Sequence, residues 1–214
     1  KEIKCQFVGI TTGVKPNIAF LKDSKIKTDK GVVINEFFET NIKHVYAIGD
    51  CAQFEKPIEK RKPLEQVWYT GRMHGETLAQ TLCGKKTAYN PGPWFNSAKF
   101  FNIEYQTYGL VPSKLAEDEK YFYWQHPKKN IAVGICYKED DNTLHGINAY
   151  GMRLRHEVFD EWITKKKTVE YVLEHFTKAN FDAEFKKDYL PEIVKEYNKQ
   201  TGSTIKVKKK FAFI

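Results

Sequence analysis

The chain has 214 residues and a mass of 25.0 kDa, is 41% hydrophobic and 14% aromatic, and sets 35 Lys+Arg against 27 Asp+Glu for a formal net charge of +8. This aromatic content excludes a disordered linker, and the length allows one or two domains, each able to bury a core. No run of eighteen apolar residues occurs, so no membrane-spanning helix is expected.

The positive charge is spread thinly, +5 over residues 1–86 and +3 over residues 87–214. Lys206, Lys208, Lys209 and Lys210 of the terminal KVKKKFAFI account for the excess in the second part. Solvated surface lysines explain this pattern better than a nucleic-acid groove, so no nucleic-acid partner is expected. Cys5, Cys51, Cys83 and Cys136 are too far apart for a C-x-x-C pair or a clustered zinc ligand set. No metal is therefore expected, and a reduced, cytoplasmic setting fits best. The chain opens at Lys1 with neither an initiator Met nor a signal segment, and an upstream portion missing from the sequence is expected.

In chain order, Cys5–Ile10 reads as a buried strand, Gly13–Asn17 as a turn and Asn17–Lys22 as a short helix. Gly31–Asn35 (GVVIN) and His44–Ile48 (HVYAI) read as short strands of a sheet interior, the second ending at Gly49-Asp50. A helix is expected over 64–83, with Pro63 in its first turn and an apolar stripe of Leu64, Val67, Trp68, Gly71, Gly75, Leu78, Ala79 and Leu82. Gly71 and Gly75 on that stripe suggest close backbone packing, Trp68 reads as core, and His74 falls off the stripe as an exposed residue.

Tyr89-Asn90-Pro91-Gly92-Pro93 punctuates the pattern. Strands are expected at Phe95–Gly109, Lys120–Gln125, Ile131–Lys138 and Leu144–Tyr150 as an antiparallel meander, with a turn at Glu139–Asn142. In Tyr121-Phe122-Tyr123-Trp124 the aromatic rings alternate between strand faces. Helices follow at about 152–165, 168–178 and 182–200, the last interrupted by Pro191. No Ser-His-Asp or paired-carboxylate signature supports hydrolysis. Cys51 reads as a small buried side chain, and Arg153 and Arg155 as solvent-facing charges near a helix start.

The chemistry signal is Thr40-Asn41-Ile42-Lys43-His44-Val45-Tyr46-Ala47-Ile48-Gly49-Asp50: a strand delivers a Gly that lets backbone approach a ligand, then a carboxylate that accepts hydrogen bonds from hydroxyls. It resembles the second flavin-binding motif, T-x-x-x-x-(V/I)-(Y/F)-A-x-G-D, of the FAD-dependent pyridine nucleotide-disulfide oxidoreductase superfamily. Gly13–Asn17 resembles that superfamily's G-x-x-P-N, Gly31–Ile34 the strand before the T…GD motif, and Pro63–Arg72 the helix whose N-terminus faces the flavin. Pro93-Trp94-Phe95-Asn96-Ser97-Ala98 resembles the P-W-F-W-S-D that opens the ferredoxin reductase C-terminal domain, departing from it at Asn96 and Ala98, and Gln106–Gly109 fits the following Q-x-x-G. The likeness is to reductases of the ferredoxin-reductase, nitrite-reductase and NADH-oxidase type. It is strongest over 28–84 and fades beyond 180.

The resemblance implies a fold class of α/β plus α+β. Residues 1–89 would form the C-terminal end of FAD/NAD(P)-binding Rossmann-like domains. Residues 90–214 would form an antiparallel-sheet α+β domain of the reductase C-terminal dimerisation type, with a helical extension over about 180–214. It further implies a C-terminal fragment of an FAD-dependent NAD(P)H oxidoreductase, because no G-x-G-x-x-G fingerprint occurs here. Gly49 and Asp50 would meet the ribityl chain, and Glu65, Gln66, Val67 and Trp68 the flavin ring. The implied partners are the preceding FAD/NAD(P)-binding region, an electron-acceptor protein and a second copy of the chain. Two other readings stand beside it: a dimerisation or interaction module that binds no flavin, and a basic protein docking through its KVKKKFAFI tail.

Overall fold

The computed structural model describes residues 2–58, 61–181 and 187–207. The chain divides into two compact units, Lys1–Pro91 and Gly92–Ile214.

In the first unit, β1 (Val32–Ile34) pairs in parallel with β2 (Ala52–Phe54), Val32 opposite Ala52 and Ile34 opposite Phe54. The β-branched Val32-Val33-Ile34 suits a buried pleat, and all three side chains are buried. Helix α1 (Trp68–Leu82) covers the pair, giving a core of Ile34, Phe38, Ala52, Phe54, Leu78 and Tyr89.

Several expected elements differ. Cys5–Ile10 is irregular and open to solvent, with Phe7 85% exposed, and Asn17–Lys22 shortens to a 3-10 turn at Ala19–Leu21. A parallel strand is stable only between neighbours, and among the described residues no strand lies beside this run. His44–Ile48 makes a single bridge, Glu39 to Tyr46, instead of a strand. The Thr40 hydroxyl donates to the Ile42 and Val45 carbonyls at 3.2 and 3.0 Å and accepts from the Ile42 N–H, curling the segment on itself.

Helix α1 starts at Trp68 rather than Leu64. The Pro63 carbonyl accepts from Phe54 N–H at 2.8 Å and Leu64 bridges to Gln53, so these residues extend the sheet edge. The inward stripe of α1 is accordingly Thr70, His74 and Leu78; Trp68 is 69% exposed and His74 only 2%. A Cβ on Gly75 would meet nothing within 4 Å, so close packing does not explain that glycine.

In the second unit the expected strand 95–109 breaks into β3 (Phe95–Phe100) and β4 (Ile103–Gly109), a tight antiparallel pair. With β5 (Glu119–Gln125), β6 (Ala132–Lys138) and β7 (Leu144–Tyr150) they form one antiparallel sheet in the order β3-β4-β7-β6-β5. Alternation sends Phe122 and Trp124 into the core and leaves Tyr121 and Tyr123 half open. The helices α2 (His156–Thr164), α3 (Val169–His175) and α4 (Leu190–Thr201) pack on the Phe122 face, where Ile135, Ile147, Phe159, Trp162, Leu173 and Tyr197 interlock.

Thr168 caps α3 by accepting from Tyr171 N–H at 3.3 Å. Pro191 sits in the first turn of α4, where its missing N–H costs nothing, so it opens this helix rather than interrupting it. Residues 182–186, the expected start of that helix, and 208–214 of the basic tail lie outside the described residues.

Gly109, at φ +68, ends β4 with its Cα turned so that a Cβ would stand 2.1 Å from the His145 carbonyl oxygen. Gly109→Ala is therefore expected to cost at least about 2 kcal/mol, from backbone displacement plus left-handed strain. Gly75→Ala, in open space within a helix, is expected to add up to about 1 kcal/mol. Urea unfolding of both variants checks the contrast.

Candidate functional site

The Gly49-Asp50 pair opens a 3-10 turn, Gly49–Cys51, immediately before β2. Gly49 has φ +77, a conformation that a side chain resists, and so turns the chain sharply there. Its N–H donates to His74 Nδ1 at 3.2 Å. A Cβ on Gly71 would lie 3.7 Å from Gly49 Cα, so α1 passes close over the turn. The Asp50 carboxylate is left facing solvent, and Cys51 is half-buried, its thiol 3.8 Å from the Ile48 carbonyl.

The segment before α1 is held by a buried ion pair. Arg61 Nε and Nη2 donate to the two Glu65 oxygens, each at 2.6 Å, and Thr70 Oγ1 donates to Glu65 Oε2 at 2.9 Å. Both side chains of the pair are only 10% exposed. The Glu65 carboxylate is thus engaged within the protein, a structural anchor for the entry to α1. Gln66 and Val67 follow it half-buried, and Trp68 stands out into solvent. Val67 precedes the first turn without a side-chain cap, which leaves positive potential at the N-terminus of α1.

Gly49, Asp50, Glu65, Gln66, Val67 and Trp68 therefore lie in one unit, on a glycine turn and a helix entry that meet over Gly71. His74, expected from its place off the apolar stripe to be exposed, is instead buried at the centre of this arrangement. It sits among Phe38, Phe54 and Tyr89 with ring centroids 5.0, 5.5 and 4.7 Å away. Burial drives its pKa down to about 4, with the nearby Glu65 charge opposing that shift. Burial likewise pushes the Tyr89 phenol up to about 12. The only available signal was the i, i+4, i+8 series Thr70, His74, Leu78, whose polar first members masked an inward face.

A neutral imidazole is required for Nδ1 to accept from Gly49, and this sets a pH dependence. The folded protein keeps His74 neutral down to about pH 4, whereas the unfolded chain protonates it near 6.5. Stability from this group is complete above pH 6.5 and is lost as pH falls towards 4, by about 3 kcal/mol in all. Urea titrations across that range should show the loss, and His74→Phe should flatten it. Glu65→Ala, which removes the carboxylate from a buried ion pair and from the Thr70 hydroxyl, should destabilise by about 3 kcal/mol in the same assay.

The family model for pyridine nucleotide-disulphide oxidoreductases matches residues 1–75. The chain is 34% identical over 88 residues to the NADH-rubredoxin oxidoreductase of Clostridium acetobutylicum, covering 41% of this chain and 22% of the relative. It is 31% identical over 137 residues to the coenzyme A disulfide reductase of Staphylococcus aureus strain Newman, covering 62% and 30%. In fold it is similar to an NAD-dependent persulfide reductase from A. fulgidus, with a TM-score of 0.64 at 17% identity over 89% of this chain and 38% of that one. The chain thus spans less than a third of the length of either curated relative. Its likeness to the pyridine nucleotide-disulphide oxidoreductases is therefore carried by residues 1–75.

Proposed function

We propose that this chain forms the C-terminal part of an FAD-dependent NAD(P)H oxidoreductase and supplies the ribityl and pyrimidine-side contacts of the flavin. The observation that carries the reading is the Gly49 turn. It is clamped by His74 beneath α1 and projects the Asp50 carboxylate outward, close to an uncapped helix entry. Bound there, FAD would supply hydride transfer from NAD(P)H and onward electron transfer to an acceptor, for which the name of one relative offers a rubredoxin-type protein.

The residues do separate jobs. Asp50 accepts hydrogen bonds from ribityl hydroxyls, and Gly49, lacking a side chain, admits that chain against the backbone. The entry of α1, from Gln66 to Trp68, places backbone N–H groups and dipole potential where negative charge on a reduced flavin is favoured. The exposed Trp68 ring offers an apolar wall against water. Glu65 acts indirectly, its pairing with Arg61 and Thr70 fixing the angle at which the helix starts.

The 214 residues hold no G-x-G-x-x-G loop, so tight binding of the pyrophosphates is assigned to a preceding region of the same polypeptide. The domain boundary near residue 90 and a role for the second unit in self-association or in covering the flavin belong to this proposal. The test is the visible spectrum of the complete reading frame, before and after anaerobic NADH and then NADPH. Flavin bands that bleach with either coenzyme are expected. Asp50→Ala should weaken FAD binding by about tenfold or more, the loss of charge-assisted hydrogen bonds. A folded, colourless protein that takes up no added FAD would overturn the reading in favour of an interaction module.

A further inference from the structure

The second unit holds a cluster of ligand-type side chains on the sheet face away from the helices. Glu119 on β5, Cys136 on β6 and His145 on β7 come from three adjacent strands. Their donor atoms all lie within 4.8 Å of one another. His145 Nδ1 and Glu119 Oε1 are 2.8 Å apart, and Glu119 Oε2 accepts from Ala116 N–H at 3.0 Å.

This grouping depends on a fault in the sheet register. Cys136 pairs with Gly146, so regular pairing would set His145 opposite Tyr137 and turn it into the core with that ring. Instead Tyr137 pairs with Leu144, and His145 is the extra residue of a bulge. Leu144 goes to the core while His145 turns to the same face as Cys136 and Glu119. Bulges that re-aim one side chain in this way are common beside functional sites.

We propose that Glu119, Cys136 and His145 bind a borderline-soft divalent cation, with zinc as the best fit. Thiolate, imidazole and carboxylate are the three donor types zinc prefers, and a water completes the tetrahedron. Zinc bonds of roughly 2.0–2.3 Å hold donors about 3.3–3.6 Å apart, so side-chain rotations of about 1 Å close the site. The ion takes the place of the hydrogen bond between His145 Nδ1 and Glu119 Oε1, and the Cys136 thiol loses its proton to solvent. Cys136 is fully buried, whereas the His145 and Glu119 side chains keep 17% and 9% exposure, so two of the three ligands touch solvent. The same burial argues against a Cys-His-Glu nucleophile, since a substrate carbonyl could not reach the sulfur. The site lies wholly within the second unit and is independent of the flavin reading.

The experiment uses the full chain with Cys5→Ser, Cys51→Ser and Cys83→Ser, so that Cys136 is the sole thiol. After chelator treatment it is titrated with Co2+ alone. One equivalent should bring up a thiolate-to-cobalt charge-transfer band and the intense visible bands of a tetrahedral ion, both bleached by added Zn2+. Further substitution of Cys136→Ser should abolish the charge-transfer band, and Glu119→Gln should weaken binding at least about tenfold. If the sole-thiol protein is folded by circular dichroism yet gives no charge-transfer band, the proposal fails. It fails equally if the band survives Cys136→Ser.

Discussion

A neutral imidazole in an aromatic box is the interaction on which the first unit depends. His74 reaches from α1 to the backbone of Gly49, and its ring is packed by Phe38, Phe54 and Tyr89 from three other segments. A two-stranded parallel sheet has little stability of its own, so the helix above it has to be held by more than propensity. The hydrogen bond costs little because a buried imidazole is already pressed to stay neutral. It does fix one geometry, with the glycine turn under the helix and the acidic side chain pointing out. The Arg61–Glu65 pair performs the corresponding service at the other side of the helix start. Two buried polar contacts thereby set the position and tilt of one surface.

The second unit rests on a different constraint, the continuity of an antiparallel sheet. Its core comes from alternate residues of five strands, with three helices laid across one face. Where polar groups are buried they join elements: Tyr108 donates to the Leu154 carbonyl at 3.0 Å, and Gln106 accepts from Leu154 N–H at 2.6 Å, tying β4 to the approach to α2. The single bulge in β7 is tolerated because Leu144 and Ile147 on either side still reach the core. A local break in the ladder thus changes which chemistry faces outward and leaves the packing intact.

Periodicity revealed much of the second unit, since β5, β6 and β7 alternate or run apolar in the way that strands with one covered face must. It failed where pairing decides the outcome. The apolar run of Cys5–Ile10 has a strand composition, but its hydrogen bonds need a neighbour, and no pattern within six residues shows whether one is present. His44–Ile48 failed for a local reason, the Thr40 hydroxyl competing for backbone groups. Trp68 and His74 exchanged roles because Leu64 and Val67, which anchored the apolar stripe, lie before the helix, and the true inward face opens with the polar Thr70 and His74. In the site, Gly49 and Asp50 could be singled out because their spacing from Thr40 and the neighbouring segments resemble a known flavin-binding motif. His74 and the Glu119, Cys136 and His145 cluster could not. The first is a polar residue on a buried face, and the second comes from strands brought together only by topology and an inserted residue.

The open state of residues 2–18 carries a practical consequence. Ile3, Phe7, Val8, Ile10 and Val14 are exposed on an irregular segment that pairs with no strand among the described residues. Apolar side chains on a strand-like segment with free pairing capacity form a template for another chain of the same kind. For these 214 residues taken alone, this stretch is where self-association by strand addition would begin. Lys4 within the stretch and Lys15 directly after it add like charge that would oppose the process.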